Sequence, residues 1–310
     1  MRPLRGRISV IKKFYTEIDS CYFKLICTGL GSMKGKLNRK LNYGSFVSIA
    51  QLTDIHLFAG IEQSLVGIET EASFQETLAT VKKEIPQIDF LLLTGDLTQD
   101  GSVKSYDRLR RSLDRFGVHS YCLAGNHDDL PIMKANLPSE YVHLSRAVDV
   151  GKWRILLLSS VVVGAVHGYL ATSELTWLKE TLNAYPDRPT LIAFHHPAVP
   201  LGSYWIDGIC LENQDEFWSI CDRHPQIQVV VNGHAHQEFD EIHETPHNSV
   251  RCLVTPSTCV QFEPQNHKFQ IDSQPPGFRH LRLYPNGEME TEVHRLKVGS
   301  FHPDLAAAGY

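Results

Sequence analysis

The stretch IQVVVNGHAH (Ile227–His236) changes character at its midpoint. A β-branched apolar run of strand length gives way to Asn232, Gly233, His234 and His236, more polarity than a turn requires. The same change recurs elsewhere in the chain. FVSIAQL (46–52) runs into Thr53, Asp54 and His56, and DFLLL (89–93) runs into Gly95 and Asp96. HSYCLA (119–124) runs into Gly125, Asn126, His127 and Asp128, and TLIAF (190–194) runs into His195 and His196. RILLLSS (154–160) is a further strand-like run without such an ending.

Amphipathic segments of helix length separate most of these runs, at about 70–84, 102–116, 173–184 and 213–223. Ser173 and Glu174 mark a helix start, and Pro186 closes that helix. Alternating strands and helices predict an α/β fold with parallel or mixed sheets covered by helices. Beyond residue 236 the pattern turns to strands: RCLVTPSTCVQF, then FRHLRLY and EMETEVHRL joined as a hairpin through Pro285, Asn286 and Gly287. No internal repeat or separating linker stands out, so residues 46–310 read as one domain.

Charge is unevenly spread. Residues 1–45 hold ten Lys/Arg against Glu17 and Asp19, so the overall −5 leaves −13 on the rest of the chain. An acidic body argues against nucleic-acid binding, which needs a basic face. The first 45 residues read as a poorly ordered basic extension, with Met33 an alternative start. No apolar run reaches the roughly 18 residues of a membrane helix. Seven cysteines without CxxC spacing argue against a disulfide framework and for a reducing cytoplasm.

Each polar cluster has an ordinary reading when taken alone. Gly-Asp after a strand is commonly an Asx turn, Asn-His-Asp suits a helix cap, and His-His-Pro suits a loop. Five such endings at equivalent strand ends would make five coincidences. The carboxyl edge of an open α/β sheet is where ligands bind, so the clusters are expected to meet in one cleft. Their donor types suit a pair of divalent cations that activate water and clamp a phosphoester. A carboxylate bridges two ions, imidazoles suit Fe, Mn, Zn or Co, and an amide oxygen is a weak ligand that leaves its ion electrophilic. An unligated histidine next to it can serve the phosphate.

The series D-x-H, G-D, G-N-H-D, H and G-H-x-H resembles the signature of the calcineurin-like metallophosphoesterase superfamily. Longer stretches, among them LVGIETEASFQETL, LLLTGDLTQDG, HHPAVPLGSYWID and TPSTCVQF, resemble the bacterial class III 3′,5′-cyclic AMP phosphodiesterases across about residues 46–310. The resemblance implies a four-layer sandwich of two mixed β-sheets flanked by helices. It implies one metal on Asp54, His56, Asp96 and His236, and a second on Asp96, Asn126, His195 and His234. His127 would be the catalytic histidine, contacting substrate together with His56, Asn126 and His236. The family spacing selects His195 over His196 as ligand, and period-2 alternation points His196 the other way. His196 and Asp128 are then expected to support the site from behind the ligands.

The implied partner is a cyclic nucleotide, hydrolysed to its 5′-monophosphate, with a homodimer left open. Tyr204 and Trp205 are candidates for stacking on adenine, with packing or a subunit contact as the alternative. Cys259 is assigned no catalytic part. Rival readings are a phosphodiesterase for 2′,3′-cyclic nucleotides or glycerophosphodiesters, and a non-catalytic protein-binding scaffold of the same fold. A purely structural zinc site would favour closed Cys/His sets.

Overall fold

Along the strand that precedes Asp54, successive side chains enter different cores: Val47 and Ile49 one, Ala50 and Leu52 another. A strand buried on both faces needs apolar residues at every position, which is why these segments read as continuous runs. A computed structural model of the chain describes residues 46–309. The basic extension expected over residues 1–45 lies outside the described residues.

The first half holds β1 (Val47–Leu52), β2 (Ser64–Leu65), β3 (Ile68–Glu69), α1 (Thr70–Glu84), β4 (Phe90–Thr94), α2 (Val103–Phe116), β5 (Ser120–Leu123) and α3 (Leu130–Asn136). There follow β6 (Val142–His143), β7 (Ala147–Val150), β8 (Trp153–Leu157), α4 (Thr172–Ala184), β9 (Thr190–Ala193), α5 (Tyr204–Asp207) and α6 (Gln214–Cys221). The last part is β10 (Ile227–Asn232), β11 (Phe239–Glu244), β12 (Ser249–Val254), β13 (Gln261–Phe262), β14 (Ile271–Asp272), β15 (Gly277–Leu283) and β16 (Met289–Arg295).

Two six-stranded mixed sheets result, ordered β16-β15-β1-β4-β5-β6 and β11-β12-β10-β9-β8-β7. Within them β1, β4 and β5 are parallel neighbours, as are β8, β9, β10 and β12. Between the sheets lies a core that includes Ile49, Phe90, Leu92, Trp153, Ile155, Leu191, Val229 and Val231. Phe74 and Leu78 of α1, Leu109 and Leu113 of α2, and Met133 of α3 cover the outer face of the first sheet. Leu178 and Leu182 of α4 and Phe217 and Cys221 of α6 cover the second. The order helix, sheet, sheet, helix is the expected four-layer sandwich.

The hairpin expected at Pro285–Gly287 forms between β15 and β16, with Gly287 at φ +92°. Helix α4 begins at Thr172, one residue before the expected start, with Ala171 O accepting from Glu174 N and Leu175 N, while the Glu174 carboxylate accepts from Ser159 N (3.2 Å) and Arg146 (2.9 Å). Helix α6 is shorter than the expected 213–223. The Asn213 amide is spent on both backbone groups of Leu170. Helix α3 lies outside the four expected helical segments, and it follows the Asn-His-Asp stretch for which a helix cap is the ordinary reading. Asp129 caps it by accepting from Ile132 N (2.9 Å), and Pro131 sits in its first turn, where no N–H is needed. Among the described residues no helix is long and apolar enough to cross a membrane.

Candidate metal centre

Parallel pairing places the carboxyl ends of β1, β4 and β5 along one edge, and those of β9 and β10 along the facing edge. The loops leaving these ends are stitched together by backbone bonds: Asp54 N to Gly95 O, His56 N to Asp96 O, and Gly233 N to His195 O, each 3.0 Å. Seven non-glycine residues among those described have positive φ, and five are Asp54, His56, Asp96, His234 and His236. Left-handed backbone at a non-glycine costs on the order of 1–3 kcal/mol and persists only where the surroundings over-determine it. Strain is therefore concentrated on the sequence-predicted ligands. Two glycines permit the close approach. A Cβ on Gly125 would lie 2.2 Å from Asp96 Oδ1, and one on Gly233 would lie 2.0 Å from Thr53 Oγ1.

All seven expected ligands come together. Around Asp54, His236 Nε2 lies 3.3 Å from Oδ1, and His56 Nε2 lies 3.2 Å from His236 Nε2. Around Asn126, Oδ1 lies 3.2 Å from His195 Nε2 and 3.1 Å from His234 Nδ1. Asp96 joins the two groups, with Oδ2 at 3.2 Å from His195 Nε2 and 3.9 Å from His56 Nε2.

The protons of these rings show whether the set fits cations. His56 Nδ1 faces Gln99 Oε1 (2.6 Å), His195 Nδ1 faces Thr94 O (2.9 Å), and His236 Nδ1 faces Val260 O (2.8 Å). Those partners only accept, so each Nδ1 carries a hydrogen and each Nε2 is turned inward. The Nε2 atoms of His56 and His236 then face one another, and His195 Nε2 faces the oxygens of Asn126 and Asp96. His234 Nε2 is buried with no hydrogen-bond partner among the described residues. Buried acceptors arranged face to face are costly unless a cation lies among them. The donor set fits two divalent ions.

Charge agrees with this reading. Burial pushes the Asp54 and Asp96 carboxyls up, but the surrounding histidines overcome it. Asp54 is held below the usual carboxylate range chiefly by His236, and Asp96 well below it chiefly by His195. Burial drives His56 down to about 3 and His234 well below its ordinary value, keeping both neutral. Burial opposes a charge on His195 too, yet the carboxylates of Asp96 and Asp54 raise it to about 9. The pull of both carboxylates on His195 marks a place where positive charge is favoured, and a metal ion held there would displace the ring proton.

The remaining candidates separate. His127 is half-buried, its ring edge-on to His56 (centroids 5.0 Å apart), and its backbone N–H donates to Asp96 Oδ1 (2.8 Å). Its ring offers a donor atom within 4.8 Å of those of His56 and Asp96. Asp128 is buried behind the ligands. It accepts from Leu97 N (3.1 Å), Thr98 N (3.2 Å), Gly125 N (2.9 Å) and Tyr106 Oη (2.8 Å). His196 sits against His195 and His234, but Ser160 Oγ (2.8 Å) and Val166 O (3.0 Å) occupy its two ring nitrogens. Tyr204 is exposed. Trp205 packs edge-on against Phe262 and Phe269, which favours the packing alternative for this tryptophan.

Several residues of the centre had no sequence signal strong enough to single them out. Gln99, Thr94 and Val260 orient the histidines. Ser257 Oγ holds Asp54 O (2.8 Å). Gln51 links the sheets through Thr94, Asn232 O and Thr255 (3.0, 3.0 and 2.7 Å). A glutamine inside an otherwise apolar strand was the one available hint.

The calcineurin-like phosphoesterase family matches residues 47–238. The 3′,5′-cyclic adenosine monophosphate phosphodiesterase CpdA of Vibrio vulnificus is 40% identical over 85% of this chain and 95% of its own length. The corresponding Escherichia coli K12 protein is 38% identical over the same shares. A 3′,5′-cyclic-nucleotide phosphodiesterase of Nostoc is 42% identical over 81% of this chain and 92% of its own. Among solved structures, a dimetal phosphatase from Danio rerio superposes with TM-score 0.59 at 14% identity, over 81% of this chain and 96% of its own, a likeness of fold.

Proposed function

The chain belongs to the calcineurin-like phosphoesterase family, and from that premise we propose that it hydrolyses 3′,5′-cyclic AMP to 5′-AMP. The observation that carries the reading is 38–42% identity, over nearly the full length of the relatives, to proteins named for hydrolysis of 3′,5′-cyclic AMP or 3′,5′-cyclic nucleotides. The gathered donor set supports the same class of reaction.

Asp54, His56, Asp96 and His236 would hold one divalent ion, and Asp96, Asn126, His195 and His234 the other. Fe, Mn, Zn and Co all accept these donors. When bound, the two ions supply Lewis acidity toward the phosphodiester and an activated water as nucleophile. Asp96 serves both groups because its carboxylate faces His56 and His195 at once. The outward N–H bonds of His56, His195 and His236 fix their rings before substrate arrives. Asn126, a neutral amide, leaves the charge of its ion largely intact. His127 presents its imidazole at the half-open side of the centre and donates a proton to the departing 3′ oxygen. The five cysteines among the described residues are buried and free, in keeping with a reducing cytoplasm as the site of action.

The test is a metal analysis combined with a diester panel on purified protein. Bound metal, the highest kcat/KM on 3′,5′-cyclic AMP, and loss of activity in Asp96→Ala are expected. A higher kcat/KM on 2′,3′-cyclic nucleotides or glycerophosphodiesters would move the substrate assignment. Absence of metal and activity together would favour the scaffold.

A further inference from the structure

The core between the two sheets is apolar until its last layer before the metal centre. On β1 it receives Val47 and Ile49, and on β15 Leu283 and Leu281. Period two brings Gln51 and Arg279 next, and these two are direct cross-strand partners. Both are buried, at 0% and 1% exposure. On the facing sheet Leu253 of β12 belongs to the same core, and Thr255 follows it two residues on, also buried.

The hydrogen bonds of this layer cross from one sheet to the other. Gln51 Nε2 donates to Asn232 O of β10 (3.0 Å), and Gln51 Oε1 accepts from Thr255 Oγ1 (2.7 Å). Arg279 Nε donates to Thr255 Oγ1 (3.2 Å), and Nη2 donates to Val254 O (2.9 Å) and Phe239 O (3.1 Å). Its Nη1 donates to Thr291 Oγ1 of β16 (3.2 Å). Asn232 O only accepts, which fixes the nitrogen end of the Gln51 amide toward it. Burial lowers the Arg279 guanidinium to about 10, against the pull of Asp240 and Glu238, so it stays a cation at neutral pH.

The anchors of this layer lie close in sequence to the candidate ligands. Gln51 precedes Asp54 by three residues, and Asn232 precedes His234 by two. Gln51 Nε2 also donates to Thr94 Oγ1 (3.0 Å), two residues before Asp96, and Thr94 O accepts from His195 Nδ1 (2.9 Å). The Asn232 side chain donates to Phe194 O (2.9 Å) and His196 O (3.2 Å), on either side of His195. The ligands assigned to each ion come from the ends of both sheets. His236 joins Asp54, His56 and Asp96, while His195 and His234 join Asp96 and Asn126. An apolar layer resists separation of the sheets but not sliding, because burial has no direction. Hydrogen bonds fix both distance and angle.

We propose that the layer of Gln51, Thr255 and Arg279 is a brace that sets the offset between the two sheet edges, and with it the geometry of both metal half-sites. The three are positioning residues, acting through the ligands on the loops they hold. The inference rests on the two-ion reading of the centre and adds to it what keeps the two halves in register.

Thr255→Val keeps the shape of the side chain and removes the hydroxyl that joins Gln51 to Arg279, whereas Thr255→Ser keeps the hydroxyl. Mn is added to the purified, metal-free protein, and uptake is followed by calorimetry and electron paramagnetic resonance. The wild type should take up two ions and show the signal of a coupled manganese pair. In Thr255→Val the Mn affinity should fall by about 10–100-fold and the coupled signal should give way to that of single ions. Thr255→Ser should restore both. Val229→Ala, which weakens the apolar core between the same sheets, is the control: its urea midpoint should drop while Mn affinity and the coupled signal stay as in the wild type. A purely stabilising role would make Thr255→Val behave like Val229→Ala, which overturns the proposal. Should Thr255→Val not fold, Gln51→Met, which keeps the stem and removes the amide, is held to the same criteria. A wild type that takes up no Mn overturns the two-ion reading and the brace with it. A coupled pair bound with wild-type affinity in Thr255→Val overturns the brace alone.

Discussion

The hydroxyl of Tyr106, buried in α2, donates to Asp128 Oδ1 at 2.8 Å and accepts from Asp129 N at 2.9 Å. One phenol on a covering helix therefore fixes the loop that carries Asn126 and His127. Asp128 passes the constraint on, because it gathers the N–H groups of Leu97 and Thr98, which follow Asp96. Two loops of the candidate centre are clamped by one carboxylate whose oxygens are taken by backbone N–H groups and hydroxyls.

Removing that clamp should loosen the centre without touching a ligand. Tyr106→Phe leaves Asp128 and Asp129 N short of a partner in a buried site, and should cost about 1–2 kcal/mol in urea unfolding. Asp128→Ala leaves three backbone N–H groups unsatisfied, and should lower metal affinity by about 10–100-fold, the usual scale for outer partners of a metal site. Titration with Mn or Zn checks the second outcome; unchanged affinity would refute the clamp.

Neighbouring residues should have separable jobs. Asn126→Ala removes an oxygen that faces two imidazoles, so metal content should fall. His127→Ala should retain both metals while kcat drops about 10²–10⁴-fold, the range for loss of a proton donor. Elemental analysis alongside kinetics distinguishes them. Equal loss of metal in both variants would place His127 among the ligands.

Gly125→Ala is the smallest change that should abolish the site. Its methyl would enter to 2.2 Å from Asp96 Oδ1 and 2.4 Å from Asp96 N, both held in place. Activity should disappear and stability fall by about 1–3 kcal/mol, a typical cost of overpacking. A variant with normal metal content and kcat would show that the loops yield more easily than their hydrogen bonds imply.

Stability should carry an acid dependence from His280, remote from the metals. Burial, then the nearby Arg282 guanidinium and His294, bring it from its ordinary 6.5 to about 4, while Glu292 pulls the other way. Its ring accepts a place against Ser48 Oγ at 2.9 Å as a neutral group. The unfolded chain takes up the proton first, so this contribution is complete above about 6.5 and is lost as pH falls toward 4. Urea midpoints measured across that window should decline less steeply in His280→Asn than in the wild type. Parallel slopes would reject the assignment.

The centre was legible in the sequence to the extent that its information is local. An apolar run followed by Asp-x-His or Gly-His-x-His declares a strand and the donors at its end, because side-chain alternation and donor chemistry belong to neighbouring residues. Strand ends on parallel neighbours share an edge, which brings Asp54, Asp96 and Asn126 together on one sheet and His195 and His234 on the other; the facing of the two edges belongs to the tertiary structure. Period two did not separate His195 from His196: the His196 ring sits against His195 and His234, and it is Ser160 Oγ and Val166 O that occupy its nitrogens.

What the residues could not declare alone is which polar group answers which. Gln99 faces His56, Val260 O faces His236, and Tyr106 faces Asp128 across 43, 24 and 22 residues of chain. Of the adjacent carboxylates, Asp128 became the clamp and Asp129 the cap of α3. Trp205, free in sequence to stack on a base, is engaged by Phe262 and Phe269. The sequence by itself determined the alternation of strands and helices and the donors, since each depends on near neighbours and strand period, while the two-sheet sandwich came with the family resemblance. Tertiary structure decided tautomer, strain and support, since a buried hydrogen bond is satisfied only by whatever the fold brings within 3 Å of it.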